Sequence, residues 1–249
     1  YTEIDGTPEL RQAVAEKLEK ENSIDADPQT EVTVTSGSQE AMLIAALGFL
    51  NSGDEAVILD PYYPAYFEDT LITEAKPITI PLDEEKDYEI ESEALESKIT
   101  KKTKMIWFCN PSNPTGHVFS KQDLEVIAEV AQKHNLIVFV DEIYEKIVYD
   151  GTRHFSIGSL PGMEDRTITV NGFSKAYAMT GWRIGYVAAG KKLSGTLRKL
   201  HYYAVLCPNA ISQKAAFAAL TGPQNCVQEM VAEYNRRRKL MLHELDRIE

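Results

Sequence analysis

Short runs of β-branched and aromatic residues alternate with longer amphipathic runs along nearly the whole chain, and this alternation restricts the fold more than any other feature. A helix that returns the chain to the starting edge of a sheet lets the next strand lie parallel to the last, so repeated alternation builds βαβ units. Strands are expected at residues 31–35, 55–59, 76–80, 104–109, 136–140, 167–170 and 184–188. Several, such as Leu136-Ile137-Val138-Phe139-Val140, are apolar at consecutive positions, as strands covered on both faces are. Helices are expected at 38–50, 65–72, 91–100, 121–134, 192–205 and 209–220, and from Pro223 onward. Ser120 before Lys121-Gln122-Asp123 is a good N-cap, and Gly53 after Asn51-Ser52 a good stop. With no internal repeat, low-complexity segment or linker-like stretch, the prediction is one α/β domain over residues 1–249, a mostly parallel seven-stranded sheet sandwiched by helices.

Composition narrows the function. A chain of 249 residues, 43% of them hydrophobic, has the material for one large buried core. Twenty-six Lys plus Arg against 38 Asp plus Glu give a formal charge of -12, spread along the chain, which argues against nucleic acid as a partner. No apolar run approaches the roughly 20 residues that span a bilayer, and the stretch from Tyr1-Thr2-Glu3 has neither a basic start nor an apolar stretch after it, so no signal peptide is expected in it. Cys109, Cys207 and Cys226 are odd in number and never form a CxxC pair, so they are expected to be ordinary reduced thiols of a cytoplasmic protein, with neither a disulfide frame nor a zinc site. The chain starts on Tyr1 and stops at Glu249 inside a charged, helix-like run, so it is expected to be cut at both ends.

In open parallel sheets, ligands sit beyond the carboxyl ends of the strands, and the polar clusters of this sequence fall there. After Val34 comes Thr35-Ser36-Gly37-Ser38-Gln39, a small-residue turn opening a helix; its free N–H groups either hold an anion or are an ordinary cap. Residues Asn110-Pro111-Ser112-Asn113-Pro114-Thr115-Gly116 read as a rigid turn. Asp141 ends an apolar strand, where it is a helix N-cap or a carboxylate at the mouth of the sheet. Lys175, in Asn171-Gly172-Phe173-Ser174-Lys175, is either solvated surface or an amine whose small and aromatic neighbours desolvate it enough to form a Schiff base.

Taken together, Ser174 to Tyr186, Asn110 to Gly116, Asp141-Glu142-Ile143-Tyr144 and the opening YTEIDGTPELR resemble the class I/II aminotransferases of fold type I, which use pyridoxal 5′-phosphate. The likeness covers essentially the entire chain and implies the family's large domain, with the last helix leading toward a C-terminal small domain that is absent or incomplete. It implies that Lys175 is the Schiff-base lysine and proton carrier. Ser174 and Arg183 match positions that bind the cofactor phosphate, together with the turn Gly37, Ser38 and Gln39. Asp141 matches the carboxylate that pairs with the pyridine nitrogen and keeps it protonated. Asn113 and Tyr144 match the donors to the cofactor's 3-oxygen, and Asn113 also touches the substrate carboxylate. Tyr63 matches the aromatic stacked on the ring, with a plain core aromatic as the alternative. Tyr1 matches a tyrosine that reaches the phosphate of a neighbouring subunit, which implies a homodimer with a shared active site.

The resemblance thus implies transfer of an amino group from an L-amino acid to a 2-oxo acid. The family's arginine for the substrate carboxylate has no match in this chain, and Gln39 stands near where one aspartate-using subgroup carries a lysine, so the donor and acceptor stay open. Two other readings compete: a carbon-sulfur β-lyase on the same lysine, and a non-catalytic cofactor-sensing regulatory module. His117, His134, His154 and His201 lie too far apart in sequence to form a metal site, and no metal is expected. Glu142 is read as a structural or solvated carboxylate, and Arg236-Arg237-Arg238-Lys239 as a solvated helix face balanced by Glu229, Glu233 and Glu244.

Overall fold

A computed structural model describes residues 1–248; Glu249, the last residue of the expected domain, lies outside the described residues. All seven expected strands form one sheet: β1 (Val32–Thr35), β2 (Glu55–Asp60), β3 (Lys76–Pro81), β4 (Thr103–Cys109), β5 (Ile137–Asp141), β6 (Thr167–Gly172) and β7 (Gly185–Ala189). Their order across the sheet is β1-β7-β6-β5-β4-β2-β3. The pairs β2·β3, β2·β4, β4·β5 and β5·β6 are parallel, whereas β7 is antiparallel to both its neighbours, β1 and β6. The carboxyl ends of the other strands and the amino end of β7 therefore share one edge of the sheet.

The helices are α1 (Pro8–Lys17), α2 (Ser38–Phe49), α3 (Pro64–Ile72), α4 (Ser92–Ser97), α5 (Lys121–Lys133), α6 (Lys191–Val205), α7 (Ala210–Thr221) and α8 (Asn225–Leu245). Those expected from sequence are present within a few residues, and α5 opens on the foreseen Ser120, in a reciprocal box with Asp123. The shortest, α4, ends before the expected residue 100 because the Thr100 N–H is taken by the Thr103 hydroxyl at 2.9 Å, which turns the chain into β4. Helix α1 is absent from the expected elements, although Pro8 at its first turn and the fully buried Leu10 and Val14, followed by buried Leu18 just past its end, specify it.

Alternation along β4 divides the core between the two faces of the sheet. Met105, Trp107 and Cys109 pack under α2 with Phe139, Ile168 and Val170. Ile106 and Phe108 face the other way, against Leu124 and Ile127 of α5. Trp107 and Phe139, both fully buried with ring centroids 4.2 Å apart, lie beneath the functional edge; burying a side chain of this size contributes roughly 1.5–3 kcal/mol. In α8 the basic run is a solvated face: Arg236 and Arg237 pair with Glu233, while Arg238 and Lys239 reach Asp150, a partner the sequence did not single out. The three cysteines are free. Among the described residues, no helix is long and apolar enough to cross a membrane.

Candidate active site

At the end of β1 the chain turns through Gly37, whose φ of +85° a residue with a side chain adopts only under strain. A Cβ built there would lie 2.6 Å from Nη2 of Arg183, so the glycine lets the guanidinium lie against the turn. Arg183 begins the return into β7 in the left-handed region, at φ 49°, and its Nη1 donates to the Thr180 carbonyl at 2.8 Å. No side chain caps α2, so the N–H groups of its first turn at Ser38 and Gln39 remain without a side-chain acceptor. Uncapped N–H groups at the positive end of a helix, beside an exposed guanidinium, form a cradle for an anion.

From the cradle a chain of aromatic contacts leads along the strand ends. The Tyr63 hydroxyl donates to Gln39 Oε1 at 3.3 Å, and the Tyr63 ring meets that of Tyr66 edge-on, centroids 5.8 Å apart. The Tyr66 hydroxyl donates to Asp141 Oδ2 at 3.3 Å, and the Ile143 N–H donates to Oδ1 at 3.0 Å. Burial pushes the Asp141 carboxyl up to about 6, against the pull of these donors and of the Lys175 ammonium. A carboxylate held there would gain from a cationic N–H placed beside it.

Lys175 follows the end of β6, half-buried, with Nζ 5.3 Å from the centroid of the Tyr144 ring. Lys175, Ser174, Tyr144 and Asn113 share a cavity of about 620 Å³, to which α8 contributes Tyr234. The amine, the buried carboxylate and the anion cradle thus stand at the ends of neighbouring strands. Gly37, Ser38, Gln39, Tyr63, Asn113, Asp141, Tyr144, Ser174, Lys175 and Arg183 all lie along this one edge of the sheet. Tyr1 does not join them; it is fully exposed.

Sequence reasoning missed Tyr66, whose signal was its place in Tyr62-Tyr63-Pro64-Ala65-Tyr66, which puts its side chain about one helical turn past Tyr63. It also left Glu142 between a structural and a solvated carboxylate, and the structure buries it completely. The Ser156 hydroxyl at 2.7 Å and Asn22 Nδ2 at 3.1 Å donate to its Oε2, while burial and the nearby Glu145 push its pKa up to about 8. Glu142, Glu145 and His154 offer ligand atoms within 4.8 Å of one another, a grouping invisible in the sequence. Lys17, paired with Glu145, already supplies the positive charge there, and the cluster reads as a compensated polar core.

The family model described as aminotransferase class I and II matches residues 1–249. An aspartate aminotransferase of Pyrococcus abyssi is 44% identical over 97% of this chain and 62% of its own length. An aromatic-amino-acid aminotransferase 2 of Thermococcus litoralis is 41% identical over 99% of this chain and 64% of its own. The crystal structure of an aromatic aminotransferase from Pyrococcus horikoshii superposes with a TM-score of 0.96 at 43% identity, over 99% of this chain and 66% of that one. The chain therefore spans a little under two thirds of the length of these relatives.

Proposed function

Because the chain belongs to the class I and II aminotransferases, we propose that it moves an amino group from an L-amino acid to a 2-oxo acid with pyridoxal 5′-phosphate, held by Lys175 as a Schiff base. The observation that carries this reading is the placement of Lys175 and buried Asp141 at the ends of the adjacent strands β6 and β5, with the Gly37–Arg183 cradle on the same edge. The residues fit the cofactor: Asp141 needs a cationic partner and the uncapped turn needs an anion. Bound, the cofactor supplies an electron sink that acidifies the hydrogen on the substrate Cα.

The side chains divide the remaining work. Arg183, Ser174 and the N–H groups of Ser38 and Gln39 bind the phosphate arm. Asp141 would keep a proton on the ring nitrogen by pairing with it as a carboxylate, with Tyr66 fixing that carboxylate's orientation. Tyr63 would cover one face of the ring. Asn113 and Tyr144, which line the cavity, would donate to the ring's 3-oxygen, and Asn113 would also meet the substrate carboxylate. Lys175, which lines the cavity, would carry the amine that holds the cofactor and would serve as the base that takes the proton from the substrate Cα. The substrate class is an L-amino acid of the aspartate or aromatic kind, following the names of the relatives. The protein works as a homodimer in the cytoplasm, with exposed Tyr1 reaching the partner's cradle; its unpaired cysteines accord with a reducing compartment.

Borohydride reduction of the protein mixed with pyridoxal phosphate, followed by mass mapping, is expected to place the label on Lys175. Lys175→Ala is expected to lose the label and amino transfer together. Label scattered over surface lysines, wild-type turnover by the variant, or pyruvate released from cysteine-type substrates without an acceptor acid would each overturn the reading.

A further inference from the structure

One buried titratable group outside this set touches the anion turn from behind. His201 on α6 is fully buried, and both its ring nitrogens face oxygens: Nδ1 lies 2.5 Å from Oε1 of Glu40, and Nε2 lies 2.8 Å from the Ile4 carbonyl. A neutral imidazole has a single N–H, so donating to both oxygens takes the doubly protonated ring. Glu40, in the first turn of α2, uses its other oxygen to accept the Ser36 N–H at 2.6 Å. One carboxylate therefore joins His201 to the turn whose next residues form the cradle.

The second acceptor belongs to an N-terminal strap. Val34 N–H donates to the Asp5 carbonyl at 2.9 Å, the Thr7 N–H to Gln213 Oε1 at 2.7 Å, and Asp5 pairs with Arg198. The charged groups facing the ring are Glu40 from α2 and Asp5 from the strap, with Arg198 of α6 itself paired to Asp5. Burial opposes the imidazolium, but the bonds to Glu40 and Ile4 outweigh it and hold the ring above its ordinary value. Left alone, Glu40 would set a negative charge beside an anion site. The imidazolium cancels that charge.

We propose that protonated His201 is a positioning residue for the phosphate arm of pyridoxal 5′-phosphate, neutralising Glu40 and fastening the strap to α2 so that the turn at Ser36–Gly37 stays in its anion-binding form. This inference rests on the cofactor reading above. When His201 loses a proton, one of its two bonds is lost and the charge of Glu40 stands uncompensated against the phosphate.

The test compares binding of pyridoxal phosphate with binding of pyridoxal, which has the same ring without the arm, to wild type, His201→Gln and Glu40→Gln. Binding is read by absorbance between about pH 7 and pH 10, above the phosphate's own titration, and circular dichroism checks that each variant is folded. Wild type is expected to lose its preference for the phosphorylated ligand by about tenfold as pH rises, the worth of about one charge-assisted hydrogen bond. His201→Gln is expected to show the reduced preference at every pH. Glu40→Gln, with no charge to cancel, is expected to keep the preference at high pH. Equal preference and an identical pH profile in wild type and a folded His201→Gln would overturn the inference and leave the cofactor reading standing. A wild type that binds neither ligand would overturn both.

Discussion

Asp141 and Glu142 are neighbours in sequence and point into different surroundings. Asp141 meets the cavity side with Tyr66, while Glu142 is enclosed with Asn22, Ser156 and His154. Burial favours the protonated form of both, but Glu142 is pushed further up by nearby Glu145, whereas Asp141 is opposed by the Ile143 and Tyr66 donors and by Lys175, so at neutral pH it is the ionised one of the two. Tyr66→Phe removes one of those donors and is expected to raise the Asp141 pKa further. Cofactor binding should then weaken several-fold, more at pH 6 than at pH 8, in a spectrophotometric titration, with a stability loss of about 1 kcal/mol. For Glu142, the folded pKa of about 8 exceeds the ordinary 4.5, so its contribution to stability is complete at acid pH and is lost as pH rises through 8. Glu142→Gln cannot ionise and should flatten the fall of Tm with pH across that window; thermal unfolding at several pH values checks it, and an unchanged slope would place the pH dependence elsewhere.

Strand β7 shows how an element can be specified by contacts that leave little trace in the sequence. Its run reads like its parallel neighbours, yet it lies antiparallel, because residues between Gly172 and Gly185 double back through a single turn of 3₁₀-helix at Thr180–Trp182. At Gly185 an added Cβ would come within 3.0 Å of the Asn171 carbonyl and the Ser38 nitrogen, both backbone atoms with no means of swinging aside. Gly185→Ala is accordingly expected to destabilise the fold by about 1–3 kcal/mol and to weaken phosphate binding by displacing the turn at Ser38; calorimetry and titration with pyridoxal phosphate measure the two. The sheet was readable because buried strands make apolar runs and because Ser120 and Asp123 announce a helix start. Helix α1 was not, since its large buried apolar residues, Leu10 and Val14, are thinly spread among charges. The same distinction holds at the site. Lys175, Asp141 and Asn113 belong to local motifs that survive in one dimension. Tyr66 and His201 gain their meaning from partners 75 and 197 residues away, and Glu142 from Asn22, 120 residues away, as well as from nearer groups that only the fold turns toward it.

At the scale of the whole molecule, an edge that gathers the ends of nearly every strand is completed by groups from α8 and, in the proposed dimer, from a second subunit. Complementation tests the sharing. Tyr1→Ala subunits should lack a phosphate contact in the partner's site, and Lys175→Ala subunits should lack the amine in their own. Mixing the two is expected to create tight pyridoxal phosphate sites absent from either variant, because the hybrid pairs an intact Lys175 with an intact Tyr1. Equilibrium dialysis of the mixture counts them, and no gain over the parents would mean that each site is built within one subunit. The antiparallel return of β7 has a further consequence. Lys175 and Arg183 belong to one crossing between β6 and β7, whose pairing Gly172↔Gly185 sets where each end of that crossing stands. The crossing works as a length gauge, so a cofactor analogue altered at the ring edge should still be accepted, whereas one with a single extra methylene before its phosphate should be turned away.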